Sequence, residues 1–196
     1  MHWSENTDSH HEIITELGLK ETGARGEINI VPIEITPPDG DLSAPVNKWV
    51  FRIDHAGYGR DIPEWWDGEK GEAAVRASLK DWKKQKVVTR KTAVLNAGQY
   101  YICGKAEVCS VEGTANVSVR DSAVIKYVGG SAVINDVGGS AVIKYVRGSA
   151  VINDVGDSAT IIVYTVIDPQ CLKSSTAVMI DRSTYGKVTV TAGKNV

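Results

Sequence analysis

The sequence contains few of the features that mark several common classes of protein. Its three cysteines form no Cys-x-x-Cys pair or Cys/His cluster of the kind that holds zinc. With 22 basic and 24 acidic side chains the net charge is −2, and no basic stripe is present, so we do not expect nucleic-acid binding through phosphate neutralisation. No apolar run has the length of a membrane span, and we expect no secretory signal at the N-terminus.

Motifs that carry chemistry are equally scarce. We find no nucleophile elbow, phosphate-binding loop or dinucleotide fingerprint in the sequence. Taken together, these absences predict a cytoplasmic protein with its cysteines as reduced thiols, no membrane contact, no cofactor and no metal. They favour a protein that is not an enzyme.

The aromatic residues divide the chain into two parts. All five tryptophans and the only phenylalanine lie in the first half, and beyond them the apolar residues are mainly Val, Ile and Ala. In the first part, alternate positions of residues 49–53 are large and apolar, as in a strand with one buried face. A helix is predicted after Asp67, with Val75, Leu79 and Trp82 on one side. Two different kinds of core are therefore expected.

The second part of the chain is built from nine-residue repeats. Four successive units over residues 121–156 share the pattern Ser-Ala-Val-Ile-x-x-Val. The two variable positions alternate between Lys-Tyr and Asn-Asp, so the full period is eighteen residues. The same apolar spacing recurs upstream from Ala106 and from Ala115, the latter with one residue fewer. A short fixed period of this kind predicts a solenoid.

Within each unit, the Ala, the Ile and the second Val are expected to point inward, and the glycines at the junctions allow tight bends. One coil of eighteen residues then has two strands on opposite walls, and successive coils pair at roughly 4.8 Å. This arrangement places Tyr127 beside Tyr145 on one wall and Asn135 beside Asn153 on the other.

The predicted fold class is mainly β. A small N-terminal α+β domain occupies residues 1–88, of which 1–12 are expected to be flexible. A β-solenoid with two nonapeptides per coil occupies residues 89–166. Residues 167–196 form a C-terminal cap or strand segment.

The period of eighteen resembles the β-roll of calcium-binding nonapeptide proteins. Their ligand pattern, Gly-Gly-x-Gly-x-Asp, aligns with residues 129–134, where no aspartate is present. Over residues 103–165 the chain more closely resembles the AxIxxV solenoid proteins of gut bacteria and their phages, which implies the fold and no activity. A general similarity to small phage counter-defence proteins, anti-CRISPR proteins among them, implies an inhibitor that occludes a host defence system in the host cytoplasm.

Candidate self-association residues lie on the solenoid. The valine before each inward Ile should face outward. Such valines either merely favour strand pairing or, together with two tyrosines, are covered by a second copy of the chain. These residues are Val124, Val133, Val142, Val151, Tyr127 and Tyr145. The C-terminal segment is a second possible route to a homodimer.

Candidate partner-binding residues lie in the first domain. Trp65 and Trp66 cannot both point into the same core from one helical turn, so one is expected at a surface, where tryptophan is a common interface anchor. The alternative is that both pack in the core or between domains. With Tyr58 and Arg60, they form the predicted binding site for a protein partner.

A polar loop offers the only candidate chemistry. His55, between Asp54 and Asp61, has the composition of an acid/base site. The same residues also fit a loop in which the carboxylates cap a helix and pair with arginine. His2, His10 and His11 fall in a polar tail, where they could make an adventitious metal contact but are expected to have no function. We favour a non-enzymatic protein-binding protein, with a hydrolase-like enzyme using this loop, or a structural repeat module of a larger assembly, as alternatives.

Overall fold

The structure is a computed structural model, and it describes residues 9–20, 30–54, 62–174 and 176–193. The chain divides into two compact units, Met1–Trp82 and Lys83–Val196. The first contains a small α+β part, and the second contains a β-solenoid of about six turns over residues 87–181. The predicted fold class is confirmed. In the described ranges, neither helix has the length and apolarity needed to cross a membrane.

The first part of the chain combines two helices with a two-stranded sheet. Its elements are α1 (His10–Glu16), β1 (Ile33–Thr36), β2 (Val50–Ile53) and α2 (Gly68–Lys86). Strands β1 and β2 are antiparallel, with Ile33 opposite Ile53. Ala44, Trp49 and Leu79 are buried together beside this sheet, and the Trp49 indole N–H donates to the carbonyl of Ala44 at 3.0 Å.

Helix α2 begins where the sequence places it. The Asp67 carboxylate accepts the backbone N–H of Lys70 at 3.1 Å, and the Asp67 carbonyl accepts that of Gly71 at 2.9 Å. These bonds satisfy amide groups that have no partner within the first turn of a helix. Val75 and Leu79 are the buried residues of its inner face.

Helix α1 begins within residues 1–12, which the sequence predicts to be flexible, and residues 1–8 lie outside the described residues. Ser9 caps it, with its hydroxyl accepting the N–H of Glu12 at 3.3 Å, and His10 is the first helical residue. Only Ile14 is buried. A helix with one apolar contact residue has little hydrophobic periodicity, so the pattern of the sequence does not indicate it.

The second unit consists almost entirely of strands. In chain order they are β3 (Val87–Val88), β4 (Thr92–Ile102), β5 (Glu107–Val119), β6 (Val124–Val128), β7 (Val133–Val137), β8 (Val142–Val146), β9 (Val151–Val155), β10 (Thr160–Val163), β11 (Val178–Asp181) and β12 (Thr189–Ala192). One wall is formed by the first part of β5 followed by β6, β8, β10 and β11, and the opposite wall by the end of β5, β7 and β9.

The register confirms the coil of eighteen residues. Val124 in β6 pairs with Val142 in β8, and Val133 in β7 pairs with Val151 in β9, all in parallel strands. Consecutive nonapeptides therefore lie on opposite walls, and every second one becomes a neighbour.

The inward positions are those that the repeat pattern predicts. Ala123, Ile125 and Val128 are fully buried, and the equivalent residues of the next three units are at most 6% exposed. Together with the neighbouring coils they form one continuous core. A coil has no independent core, so its stability depends on the coils on either side.

The corners between the walls require left-handed backbone. Gly139 has φ of 64°, and a Cβ atom built there would lie 2.6 Å from the carbonyl oxygen of Asp121. Asp121 and Asp157, 18 residues on either side of Gly139, also have positive φ, of 61° and 48°. The Asp157 carboxylate accepts the N–H of Gly139 at 2.6 Å. Glycine and aspartate are among the residues that tolerate this conformation best.

The pairing of β5 with β7 has one irregularity, and it corresponds to the residue that is missing from one repeat unit. Val117 of β5 pairs with Ile134 of β7, but the next pair joins Ser118 to Asp136, so Asn135 is an extra residue on β7. The shorter unit that begins at Ala115 is therefore accommodated by a bulge, and the buried positions on either side keep their register.

The solenoid extends beyond the predicted boundary at residue 166. Strand β11 is parallel to β10, with Val178 beside Thr160. Strand β12 then pairs with β11 in the antiparallel direction, with Val190 beside Ile180. The predicted C-terminal segment thus contributes a further coil, followed by one antiparallel strand at the end of the sheet.

Candidate functional site

Three polar side chains from different elements meet in the first unit. They are His10 at the start of α1, Glu34 in β1 and Asp54 directly after β2, and one ligand atom of each lies within 4.8 Å of the others. The His10 Nδ1 atom is 3.1 Å from Asp54 Oδ2. The His10 Nε2 atom is 3.4 Å from the carbonyl oxygen of Ile33. We refer to His10, Glu34 and Asp54 as the polar cluster.

The antiparallel pair explains why the two carboxylates are close. Glu34 lies opposite Arg52, and the backbone N–H of Asp54 donates to the carbonyl of Pro32 at 3.0 Å. Residues two apart in a strand share a face, so Glu34, Arg52 and Asp54 lie on the same side of the sheet. Helix α1 supplies His10, whose side chain is 16% exposed, against 31% for Asp54.

The polar cluster differs from the predicted acid/base loop. Asp54 belongs to both, but His55 and Asp61 lie outside the described residues. His10, which the sequence placed in a tail without function, is the histidine that contacts Asp54. The neighbouring His11 is exposed.

The tryptophan pair has one inner and one outer member. The two rings are 6.2 Å apart in an edge-to-face arrangement. Trp66 is partly buried and packs over Gly71, where an added Cβ would lie 2.3 Å from the ring. Trp65 is 56% exposed, and Ile62 near it in the chain is 51% exposed. Tyr58 and Arg60, predicted to act with this pair, lie outside the described residues.

The four candidate valines of the solenoid are divided between two walls. Val124 and Val142 are neighbours on one wall, and Val133 and Val151 on the other. The first row continues at Thr160. Val151 is 47% exposed, whereas the other three are partly buried. Each wall therefore presents a row of two valines.

The tyrosines form a ladder on one wall. The ring of Tyr145 lies 5.9 Å from that of Tyr127 and 4.0 Å from that of Tyr164. The Arg147 guanidinium lies 4.7 Å from the centre of the Tyr145 ring. Such contacts stabilise neighbouring coils. Sequence reasoning missed Tyr164 because it follows Tyr145 by 19 residues, which lies outside the eighteen-residue spacing of the repeat.

The cysteines show no features of a nucleophilic site. Cys103 and Cys171 are buried, and Cys109 is partly buried. Burial raises the pKa of the Cys171 thiol, and the negative charge of Asp168 adds to this effect. A thiol with a raised pKa carries less of the reactive thiolate.

Comparison with known proteins finds no family model that matches the chain, and no curated protein or solved structure with significant similarity.

Proposed function

We propose that the chain is a non-enzymatic binding protein, in which the solenoid is a scaffold and the first unit contacts a protein partner around Trp65. The observation that supports this proposal is the exposure of a large apolar pair, Trp65 at 56% and Ile62 at 51%, beside a tryptophan that is packed. Tryptophan is enriched among the few residues that carry most of the energy of protein interfaces.

The expected partner is a protein of the cell in which the chain is made. For a phage-encoded chain, this role becomes inhibition of a host defence system by occlusion of a surface. Occlusion requires affinity and shape but no catalytic group. The polar cluster therefore has no catalytic role in the proposed binding function.

Affinity capture with the purified chain tests this proposal. We expect a partner that is retained by the wild type, and a Trp65→Ala variant that binds it about thirtyfold more weakly, since truncation of an interface anchor costs about 2 kcal/mol. The control is Tyr185→Ala, because Tyr185 is a fully exposed aromatic residue in the other unit. Failure to capture any partner, or equal binding by wild type and Trp65→Ala, would contradict the proposal.

A second proposal concerns self-association through β12. Within the described ranges this strand pairs only with β11, and it is the last strand of the sheet. Val188 and Val190 are 58% and 65% exposed. An unpaired strand edge offers backbone donors and acceptors, and an antiparallel pair of identical edges is compatible with a twofold axis. We therefore propose that the homodimer contact lies at β12.

Light scattering of the eluting protein tests the dimer. We expect a dimer for the wild type and a monomer for Val190→Lys, because a charge on an edge strand opposes pairing. Val166→Lys is the control, since Val166 is 86% exposed and lies outside the strands. A monomeric wild type, or a Val190→Lys variant that still forms the dimer, would refute the β12 contact.

A further inference from the structure

We infer that the polar cluster of His10, Glu34 and Asp54 binds a first-row divalent metal ion such as Zn²⁺. The ion would connect α1 to the β1–β2 pair and so fix the position of the N-terminal helix. This inference is independent of the proposed binding function, because it involves neither Trp65 nor β12.

The types and distances of the ligands fit such an ion. Zinc binds imidazole nitrogen and carboxylate oxygen at about 2.0–2.2 Å, so two ligand atoms in a tetrahedral site lie about 3.4 Å apart. His10 Nδ1 and Asp54 Oδ2 are 3.1 Å apart, and the Glu34 oxygen lies within 4.8 Å of both. Because Glu34 is exposed, its side chain can move the remaining distance, and a fourth position stays open to water.

The orientation of the His10 ring supports the same conclusion. The Nε2 atom lies 3.4 Å from the carbonyl oxygen of Ile33, which only accepts hydrogen bonds, and Nδ1 lies 3.1 Å from the carboxylate of Asp54. The ring is therefore held with Nδ1, the nitrogen that would bind the ion, beside a carboxylate ligand. Histidines that bind metals commonly donate their other N–H to a carbonyl or carboxylate in this way.

A hydrogen-bonded pair of His10 and Asp54 would give the same contacts without a metal. Arg52, on the same face and opposite Glu34, also opposes a cation. Glu34, Asp54 and Arg52 together carry a net charge of −1, so the attraction for the ion is modest. Tight binding therefore requires all three ligands, and the loss of any one should weaken it strongly.

Calorimetric titration of the full chain with Zn²⁺ distinguishes these cases. We expect one ion per chain for the wild type. The affinity should fall at least about tenfold in each of His10→Ala, Glu34→Gln and Asp54→Asn, because each removes one of three ligands. His11→Ala is the matched control, since this adjacent histidine is exposed and outside the cluster.

Two further measurements show whether a variant is misfolded and whether the ion binds at a different site. Far-UV circular dichroism should be the same for all variants, and Glu34→Gln changes an exposed side chain only. Co²⁺ in place of Zn²⁺ should give an absorption spectrum of nitrogen and oxygen ligands without thiolate bands. Absence of stoichiometric binding would overturn the inference, as would His10→Ala binding like the wild type or His11→Ala losing as much affinity as His10→Ala.

Discussion

The substitution Gly139→Ala tests the stacked corners of the solenoid. Gly139 lies between the two walls with φ of 64°, and an added Cβ would be 2.6 Å from the carbonyl oxygen of Asp121 and 2.8 Å from its Cα atom. These neighbours are backbone atoms of the preceding coil. They can move only if the coil itself moves.

The expected cost has two parts. Left-handed backbone costs about 1–2 kcal/mol for an alanine. Overpacking of a tight interior site costs about 1–3 kcal/mol. We therefore expect Gly139→Ala to lower the free energy of unfolding by about 2–5 kcal/mol.

Substitutions at two other glycines measure the backbone cost and the overpacking cost separately. Gly186 has φ of 72° but nothing within 4 Å of an added Cβ, so Gly186→Ala should show the backbone cost of about 1–2 kcal/mol alone. Gly156 has neither a positive φ nor a close neighbour, so Gly156→Ala should change stability by less than about 0.5 kcal/mol. The order of destabilisation, Gly139 then Gly186 then Gly156, follows from the geometry.

Guanidinium unfolding monitored by far-UV circular dichroism measures these differences. Tryptophan fluorescence recorded in parallel reports the first unit, because all five tryptophans lie within Met1–Trp82. The loss in Gly139→Ala should appear in the dichroism signal of the strands. If Gly139→Ala is as stable as Gly156→Ala, the corner does not have the described geometry.

Three further predictions concern the core, the α2 cap and the thiols. Ile143→Ala, at a fully buried position, should cost about 2–5 kcal/mol in the same assay, and a loss below about 1 kcal/mol would argue against a close-packed core. Hydrogen bonds from the side chain and backbone of Lys70 lower the pKa of Asp67 from its ordinary 3.8. The stabilisation of the folded state by these hydrogen bonds is present above pH 3.8 and is lost as the pH falls below that value. The difference in thermal stability between wild type and Asp67→Asn should therefore shrink in acid. A difference that stays constant with pH would contradict this expectation. Cys109 should be alkylated before Cys171, whose pKa is raised by burial, and peptide mass spectrometry that finds equal rates would contradict this order.

The repeats could be predicted from the sequence because each inward position recurs with the same spacing. The C-terminal coil was missed because it lacks the Ser-Ala-Val-Ile motif, although a signal was present. Ala177 and Met179 lie eighteen residues after Ala159 and Ile161, and all four are buried. The spacing of inward residues is therefore a better guide to coil number than the motif itself.

The polar cluster could not be predicted because it depends on tertiary structure. His10 is far in sequence from Glu34 and Asp54, and it approaches them only because α1 forms. That helix buries a single apolar residue, Ile14, so no periodicity marks it. The proximity of Glu34 and Asp54, by contrast, follows from the antiparallel pairing of β1 with β2.

Disulfide trapping measures the coil length most directly. Val124 and Val142 are lateral neighbours in the same wall, where Cα atoms lie about 4.8 Å apart, a distance that a disulfide spans. Cysteines at these two positions should form a bridge, assigned by peptide mass spectrometry, whereas cysteines at Val124 and Val133, on opposite walls, should not. A bridge between the second pair without one between the first would contradict a coil of eighteen residues.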